Sequence, residues 1–298
     1  MTIKTRMATS PRISRDSIDN GFPAEAECRE IPGWRILART LARDSDQKYY
    51  LYIPSIRGAN ARTFIAVHGI TRNAAEQAHL FAPFAERYGV VLIAPLFPKD
   101  RFQDYQRLGR RGKGERADLA LDRIVAEVAS QIEVKTSELY LFGYSGGGQF
   151  VHRYAMAHPE RVARMALAAA GWYTFPDPTV NFPLGTKATS GLSDVRFNLA
   201  RFLSVPTYLM VGEKDVMRDP ELRKSRRLDR QQGITRLERG RRWIKTMAAA
   251  AKAYHLDTPH IFEVLPNSNH SFAECMELGD MGRRVFQFLF GDVPESNC

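Results

Sequence analysis

The segment Gly143-Tyr144-Ser145-Gly146-Gly147 follows an apolar run at 139–142 and leads into residues with helical spacing. In that context a serine can serve as a nucleophile. A sharp strand-to-helix turn leaves no room for side chains at its flanks, which accounts for Gly143 and Gly147, and it holds the serine hydroxyl exposed at a helix N-terminus. Backbone N–H groups and the helix dipole at that point favour the negative charge that develops in acyl transfer. Away from a strand and a helix the same five residues would be only a glycine-rich packing turn.

A serine hydroxyl attacks poorly until a base takes its proton, so a histidine and a carboxylate are required. Asp215 stands directly after the apolar run 207–211, with Glu213 and Asp219 as rival acids nearby. His270 lies in a loop, Pro266-Asn-Ser-Asn-His270-Ser-Phe, just past the run 261–265. Of the histidines only His68 and His270 sit immediately beyond predicted strands, and His68 precedes the serine. His270 is therefore the expected base and Asp215 the expected carboxylate that orients it. The oxyanion needs two donors: the N–H of Gly146 is one, and the turn His68-Gly69-Ile70-Thr71 supplies the other, Ile70 first and Thr71 second. Thr71, Tyr144, Trp172 and Tyr173 are the candidate pocket residues, with core or lid packing as the alternative for the aromatic ones.

Short, nearly continuous apolar runs at 63–67, 90–94, 139–142, 165–169, 207–211 and 261–265 alternate with helical stretches at 74–87, 117–132, 148–158 and 281–290. Strands apolar on both faces belong to parallel sheets covered by helices on each side, so the chain reads as α/β. Runs at 34–41 and 48–53, joined by a polar turn at 43–46, predict an antiparallel hairpin at one edge. Residues 1–33 read as a flexible tail and lead-in to a domain covering 34–298. Two segments exceed the simple alternation. Residues 172–204, with Pro176, Pro178, Pro183 and Gly185, predict a cap or lid, and residues 216–254 predict a basic insertion formed by one long exposed helix or a bent pair.

The 43 basic against 33 acidic residues leave a net charge of +10, which fits an anionic partner or a solvated surface. In the basic insertion both signs interleave and Trp243 is the sole aromatic suited to stacking, which argues against nucleic acid. The charged loop 100–115 lacks G-K-[ST] and reads as a surface loop near the pocket rim. Cys28, Cys275 and Cys298 suggest neither a disulfide framework nor a metal site. No signal-like or membrane-spanning apolar run occurs, so no membrane insertion is expected and the expected location is cytoplasmic.

HG followed by an apolar residue, G-Y-S-G-G, V-G-x-x-D and N-x-x-H-S-F resemble the α/β-hydrolase superfamily across most of the chain, and more loosely bacterial esterases and polyhydroxyalkanoate-depolymerase-like hydrolases. The resemblance implies a mostly parallel eight-stranded sheet with an antiparallel second strand, helices on both faces, a small cap between strands six and seven, and no cofactor. It carries over Ser145, Asp215, His270, Gly146 and Ile70. The expected activity is hydrolysis of a small-molecule or oligomeric carboxylic ester through an acyl-enzyme. An amidase, peptidase or carbon–carbon hydrolase would use the same residues, and a non-catalytic ligand-binding protein could keep the same fold. Neither the acyl or alcohol preference nor the oligomeric state is legible.

Overall fold

The computed structural model describes residues 35–110, 112–187 and 190–291, so the expected lead-in at 1–33, Cys28 and Cys298 lie outside the described residues. Eight strands form one sheet: β1 (Leu37–Leu41), β2 (Asp44–Tyr52), β3 (Ala61–Val67), β4 (Val91–Pro95), β5 (Val134–Tyr144), β6 (Val162–Ala168), β7 (Thr207–Gly212) and β8 (His260–Leu265). Their spatial order is β1-β2-β4-β3-β5-β6-β7-β8. β2 pairs antiparallel with both β1 and β4, and all other neighbours are parallel, as the resemblance implied.

The helices are α1 (Ala74–Tyr88), α2 (Ala117–Gln131), α3 (Gly146–Ala157), α4 (Leu199–Leu203), α5 (Arg226–Gln232), α6 (Arg236–Ala253), α7 (Phe272–Glu277) and α8 (Met281–Phe290). They divide between the two faces of the sheet. Apolar side chains of α2, α3 and α6 join one buried cluster with Ile65, Leu141, Leu167 and Leu209. Those of α1 and α8 join another with Phe64, Phe142, Ala166 and Met210. Consecutive residues of one strand thus enter opposite cores, and this is why the central strands are apolar throughout.

The connection β3–α1–β4 places β4 on one side of β3, whereas β4–α2–β5 returns to the other side. Loops leaving the carboxyl ends of β3 and β5 therefore diverge and open a crevice there. Local chemistry sets the ends of the elements around it. Gly89 closes α1 in the left-handed region (φ 61°) and donates back to the carbonyls of Ala85 and Glu86. Ser271 caps α7 by accepting from the Glu274 N–H at 3.3 Å.

Three expectations change. The edge hairpin turns at residues 42–43 rather than 43–46, because the β1–β2 register slips at Leu41 and Gln47 turns inward, donating from Nε2 to the Leu96 carbonyl at 2.8 Å. The basic insertion takes the second of its two expected forms, a bent pair, broken at Gly233 (φ 110°) and restarted where Thr235 accepts from the Glu238 N–H. It is not wholly exposed, since Arg236, Arg239 and Trp243 are buried. The loop 100–115 is not merely a surface loop either: Phe102, Tyr105 and Leu108 enter the core, with a short 3-10 turn at Tyr105–Arg107. Among the described residues no helix is long and apolar enough to cross a membrane.

Candidate active site

Ser145 sits between β5 and α3 with φ 51° and ψ −109°, a backbone region that side-chain-bearing residues rarely adopt. The turn holds because its surroundings leave it no alternative. The Ser145 N–H donates to the Ala168 carbonyl at 2.7 Å. A Cβ on Gly147 would lie 1.9 Å from the Val67 carbonyl oxygen, and one on Gly143 would lie 2.3 Å from the Gly147 carbonyl oxygen. Only glycines let α3 start this close to β3.

Three elements bring the expected polar side chains together. His270, in the loop between β8 and α7, has Nε2 3.2 Å from Ser145 Oγ and Nδ1 2.8 Å from Asp215 Oδ2. Asp215 leaves the carboxyl end of β7 and is only 3% exposed. Its second oxygen, Oδ1, accepts from Arg236 Nη1 at 3.1 Å. Both carboxylate oxygens are therefore engaged, and the imidazole is oriented from behind. Of the rival acids, Asp219 pairs with Arg236, whose hydrogen bond holds its carboxyl down to about 2, and Glu213 accepts from the Asn267 N–H at 3.0 Å. Neither rival forms a hydrogen bond to the histidine.

The loop after β3 faces the serine. A Cβ on Gly69 would meet Ser145 Cβ at 3.6 Å, and one on Gly146 would meet Ile70 Cγ2 at 3.0 Å. Gly146 is the first residue of α3, so its N–H has no intrahelical acceptor. His68 positions this loop. Its Nδ1 bonds the Gly69 carbonyl at 2.8 Å and its Nε2 accepts from the Phe97 N–H at 3.0 Å. Burial pushes its pKa down to about 3, so the ring is neutral, with the proton on Nδ1. Tyr105 adds a second tie by donating from its hydroxyl to the His68 carbonyl at 3.1 Å.

A pocket of about 240 Å³ opens beside Ser145, lined by Ile70, Gln106, Arg107, Gln149, Trp172 and Arg223 among others. Of the four candidate pocket residues, Trp172 alone lines it. Tyr144 lies behind His270, its ring stacked 5.5 Å from the imidazole, because it leaves the strand on the face covered by Phe272. Tyr173 is fully buried and stacks on Trp243 at 4.8 Å, one residue past Trp172 and hence on the opposite side of the chain. Thr71 is exposed outside the lining.

Residues that the sequence reading did not assign to the pocket complete the wall. Gln149 lines it and Arg153 lies buried behind it; they follow Ser145 at one and two helical turns, a spacing that puts all three on one face of α3 and could have been noticed. Gln106 and Arg107 come from the charged loop, and Arg236 from the basic insertion. Among the described residues no cluster of three His, Cys, Asp or Glu side chains could hold a metal.

No protein-family model matches the chain, and no curated protein sequence is significantly similar to it. Solved structures are. The poly(3-hydroxybutyrate) depolymerase of Bordetella parapertussis is 25% identical over 89% of this chain and 92% of its own, with a TM-score of 0.69. Poly(aspartic acid) hydrolase-1 of Sphingomonas sp. KT-1 is 22% identical, covering 87% and 99%, with a TM-score of 0.71. An S-formylglutathione hydrolase of Agrobacterium tumefaciens is 13% identical, covering 86% and 95%, at 0.56. The sheet order, the crossovers and these likenesses agree: the chain is an enzyme of the α/β-hydrolase fold, similar to bacterial esterases and other serine hydrolases.

Proposed function

We propose that the chain hydrolyses carboxylic esters through an acyl-enzyme on Ser145. One observation carries the reading: a single imidazole spans Ser145 Oγ at 3.2 Å and Asp215 Oδ2 at 2.8 Å, while the serine is held in a strained turn that exposes its hydroxyl. Ser145 Oγ attacks the ester carbonyl carbon as His270 Nε2 takes its proton. The resulting oxyanion is met by the N–H groups of Gly146 and Ile70, each such donor contributing on the order of 3 kcal/mol in the transition state. Collapse expels the alcohol, which leaves with the proton from His270, and a water activated by the same imidazole releases the acid. Asp215 keeps the proton on His270 Nδ1, so Nε2 is free to accept.

Esters lead over amides because an alcohol departs more readily than an amine, and the similar depolymerase is named for a polyester. The segments 172–204 and 216–254 border the entrance in this reading, since Trp172 and Arg223 belong to the pocket wall. The test is covalent labelling with a fluorophosphonate, followed by peptide mapping, for the wild type and Ser145→Ala. Label on Ser145, together with loss of p-nitrophenyl ester hydrolysis in the variant, is expected. An unlabelled wild type would favour a ligand-binding protein, and more than a tenth of the wild-type kcat in the variant would move the nucleophile elsewhere.

A further inference from the structure

One wall of the pocket carries more guanidinium than carboxylate. Arg107 and Arg223 line the cavity with Gln106, Gln149 and Trp172. Behind them lies Arg153, fully buried, its guanidinium carbon 4.2 Å from the centre of the Trp172 ring. Its Nε donates to Thr174 Oγ1 at 2.9 Å, and its Nη1 to the carbonyls of Gln106 at 2.6 Å and Gln149 at 3.2 Å. Its Nη2 has no partner. Arg223 approaches the same indole at 5.3 Å and forms no ion pair among the described residues. The buried carboxylate of this group, Asp104, is shared between Arg107 and Arg110. Glu221 stands exposed at the lip.

Removing a guanidinium from water without a carboxylate costs several kcal/mol. Burial, with repulsion from Arg107 added, holds the Arg153 pKa well below its ordinary value. Contact with the indole and with backbone carbonyls offsets part of that cost. The wall therefore keeps an excess of positive charge, which an anion in the cavity offsets.

We propose that this wall is a carboxylate subsite, so that the substrate is an ester carrying a free carboxylate, held by Arg107 and Arg223 while its carbonyl faces Ser145. The proposal rests on the reading of Ser145 as the nucleophile. The planar fork of a guanidinium matches a planar carboxylate. Three guanidiniums line the cavity, but Arg236 is paired with Asp215 and Asp219, so Arg107 and Arg223, with Glu221 at the mouth, suit a single negative charge better than a dianion. The cavity, at about 240 Å³, is smaller than a drug-sized site and takes one end of a substrate.

The experiment compares mono-p-nitrophenyl adipate with its ω-methyl ester, which has the same acyl chain without the charge. The wild type is expected to prefer the anionic ester in kcat/KM. That preference should fall about tenfold in Arg223→Gln and in Arg107→Gln, the scale of one charge-assisted hydrogen bond, and less in Arg223→Lys. Lys252→Gln, exposed at the end of α6, should keep the wild-type preference, which separates a local contact from the overall charge of +10. Equal rates on the two esters, or the same preference in wild type and Arg223→Gln, would overturn the subsite. If the fluorophosphonate does not label Ser145, the hydrolase reading fails instead, and calorimetry with adipate itself decides the subsite: weaker binding by Arg223→Gln supports it and equal binding refutes it. Tighter binding of inorganic phosphate than of adipate would overturn the carboxylate assignment.

Discussion

Arg236→Met isolates the group that holds Asp215, the proposed acid. In the wild type Arg236 is 2% exposed, donates to Asp215 Oδ1 at 3.1 Å and pairs with Asp219. Methionine fills similar space without charge, so Asp215, itself 3% exposed, keeps its bond to His270 but loses its other partner. Breaking a buried pair by removing one member costs about 3 kcal/mol or more, which for a domain of this size lowers Tm by roughly 6–12 °C. Part of that cost depends on pH. Arg236 is the largest cause of the fall of the Asp219 carboxyl from 3.8 to about 2, with the Leu222 N–H adding to it, so the share of Arg236 is worth at most roughly 2 kcal/mol at neutral pH. Because the folded value is the lower one, this stability is present above about 3.8 and is lost as pH falls through about 2. Urea midpoints of wild type and variant should therefore differ by a constant amount from pH 5 to 8, and the difference should narrow below pH 4, as far down as both remain folded. The variant's kcat on an ester should fall roughly 10- to 100-fold, the loss of one charge-assisted hydrogen bond on the acid. Identical midpoints at pH 7, or unchanged kcat, would refute the claim that Arg236 positions Asp215.

Two further substitutions probe the elbow and the acid. Asp215→Asn should lower kcat by about 10⁴ with little change in secondary structure, because the amide no longer holds the proton on His270 Nδ1; if Glu213→Gln does the damage instead, the acid is misassigned. Gly147→Ala should yield insoluble or unfolded protein, since its Cβ would meet the Val67 backbone oxygen at 1.9 Å, whereas Gly58→Ala, with nothing within 4 Å, should stay within about 1 kcal/mol of wild type by urea melts. A folded, active Gly147→Ala would show that α3 can shift away from β3.

The polar residues around Ser145 were legible because each stands where a change of hydrophobic pattern announces the end of a strand. The run 139–142 stops at Gly143, the run 207–211 stops four residues before Asp215, and 261–265 stops five before His270. Strand ends on a parallel sheet share one edge, so sequence position alone predicts convergence. The full extents of β5 and β6 were less legible. Val134 and Lys135 lie before the central apolar stretch, and their pairing with Ala61 and Arg62 is separated from the Thr63–Leu139 pair by a register shift. Aromatic type was a poor guide to the pocket, because alternation along the chain after β6 sends Trp172 to the cavity and Tyr173 to the core.

The arginines were the least legible element, and for a physical reason. A basic residue in a polar stretch defaults to the surface because burying its charge is costly. Here local acceptors outweigh that default: Arg239 is taken up by the carbonyls of Gly233, Gly171 and Arg223 and by Asp229, and Arg236 by two aspartates from the loop after β7. Both capture the segment that carries Arg223 and fasten it over the cavity. Arg153 differs, since the carbonyls around it leave one nitrogen without an acceptor. It also stands on α3, the helix whose N-terminus carries Ser145 and Gly146. Through its bond to the Gln106 carbonyl, Arg153 ties the loop that carries Arg107 to that helix, so a charge held by Arg107 would be registered against Ser145 through buried contacts. Those contacts are why loss of the anionic preference should accompany substitution of the wall itself, and not of the exposed arginines on α5, which share its sign of charge but have no fixed relation to Ser145.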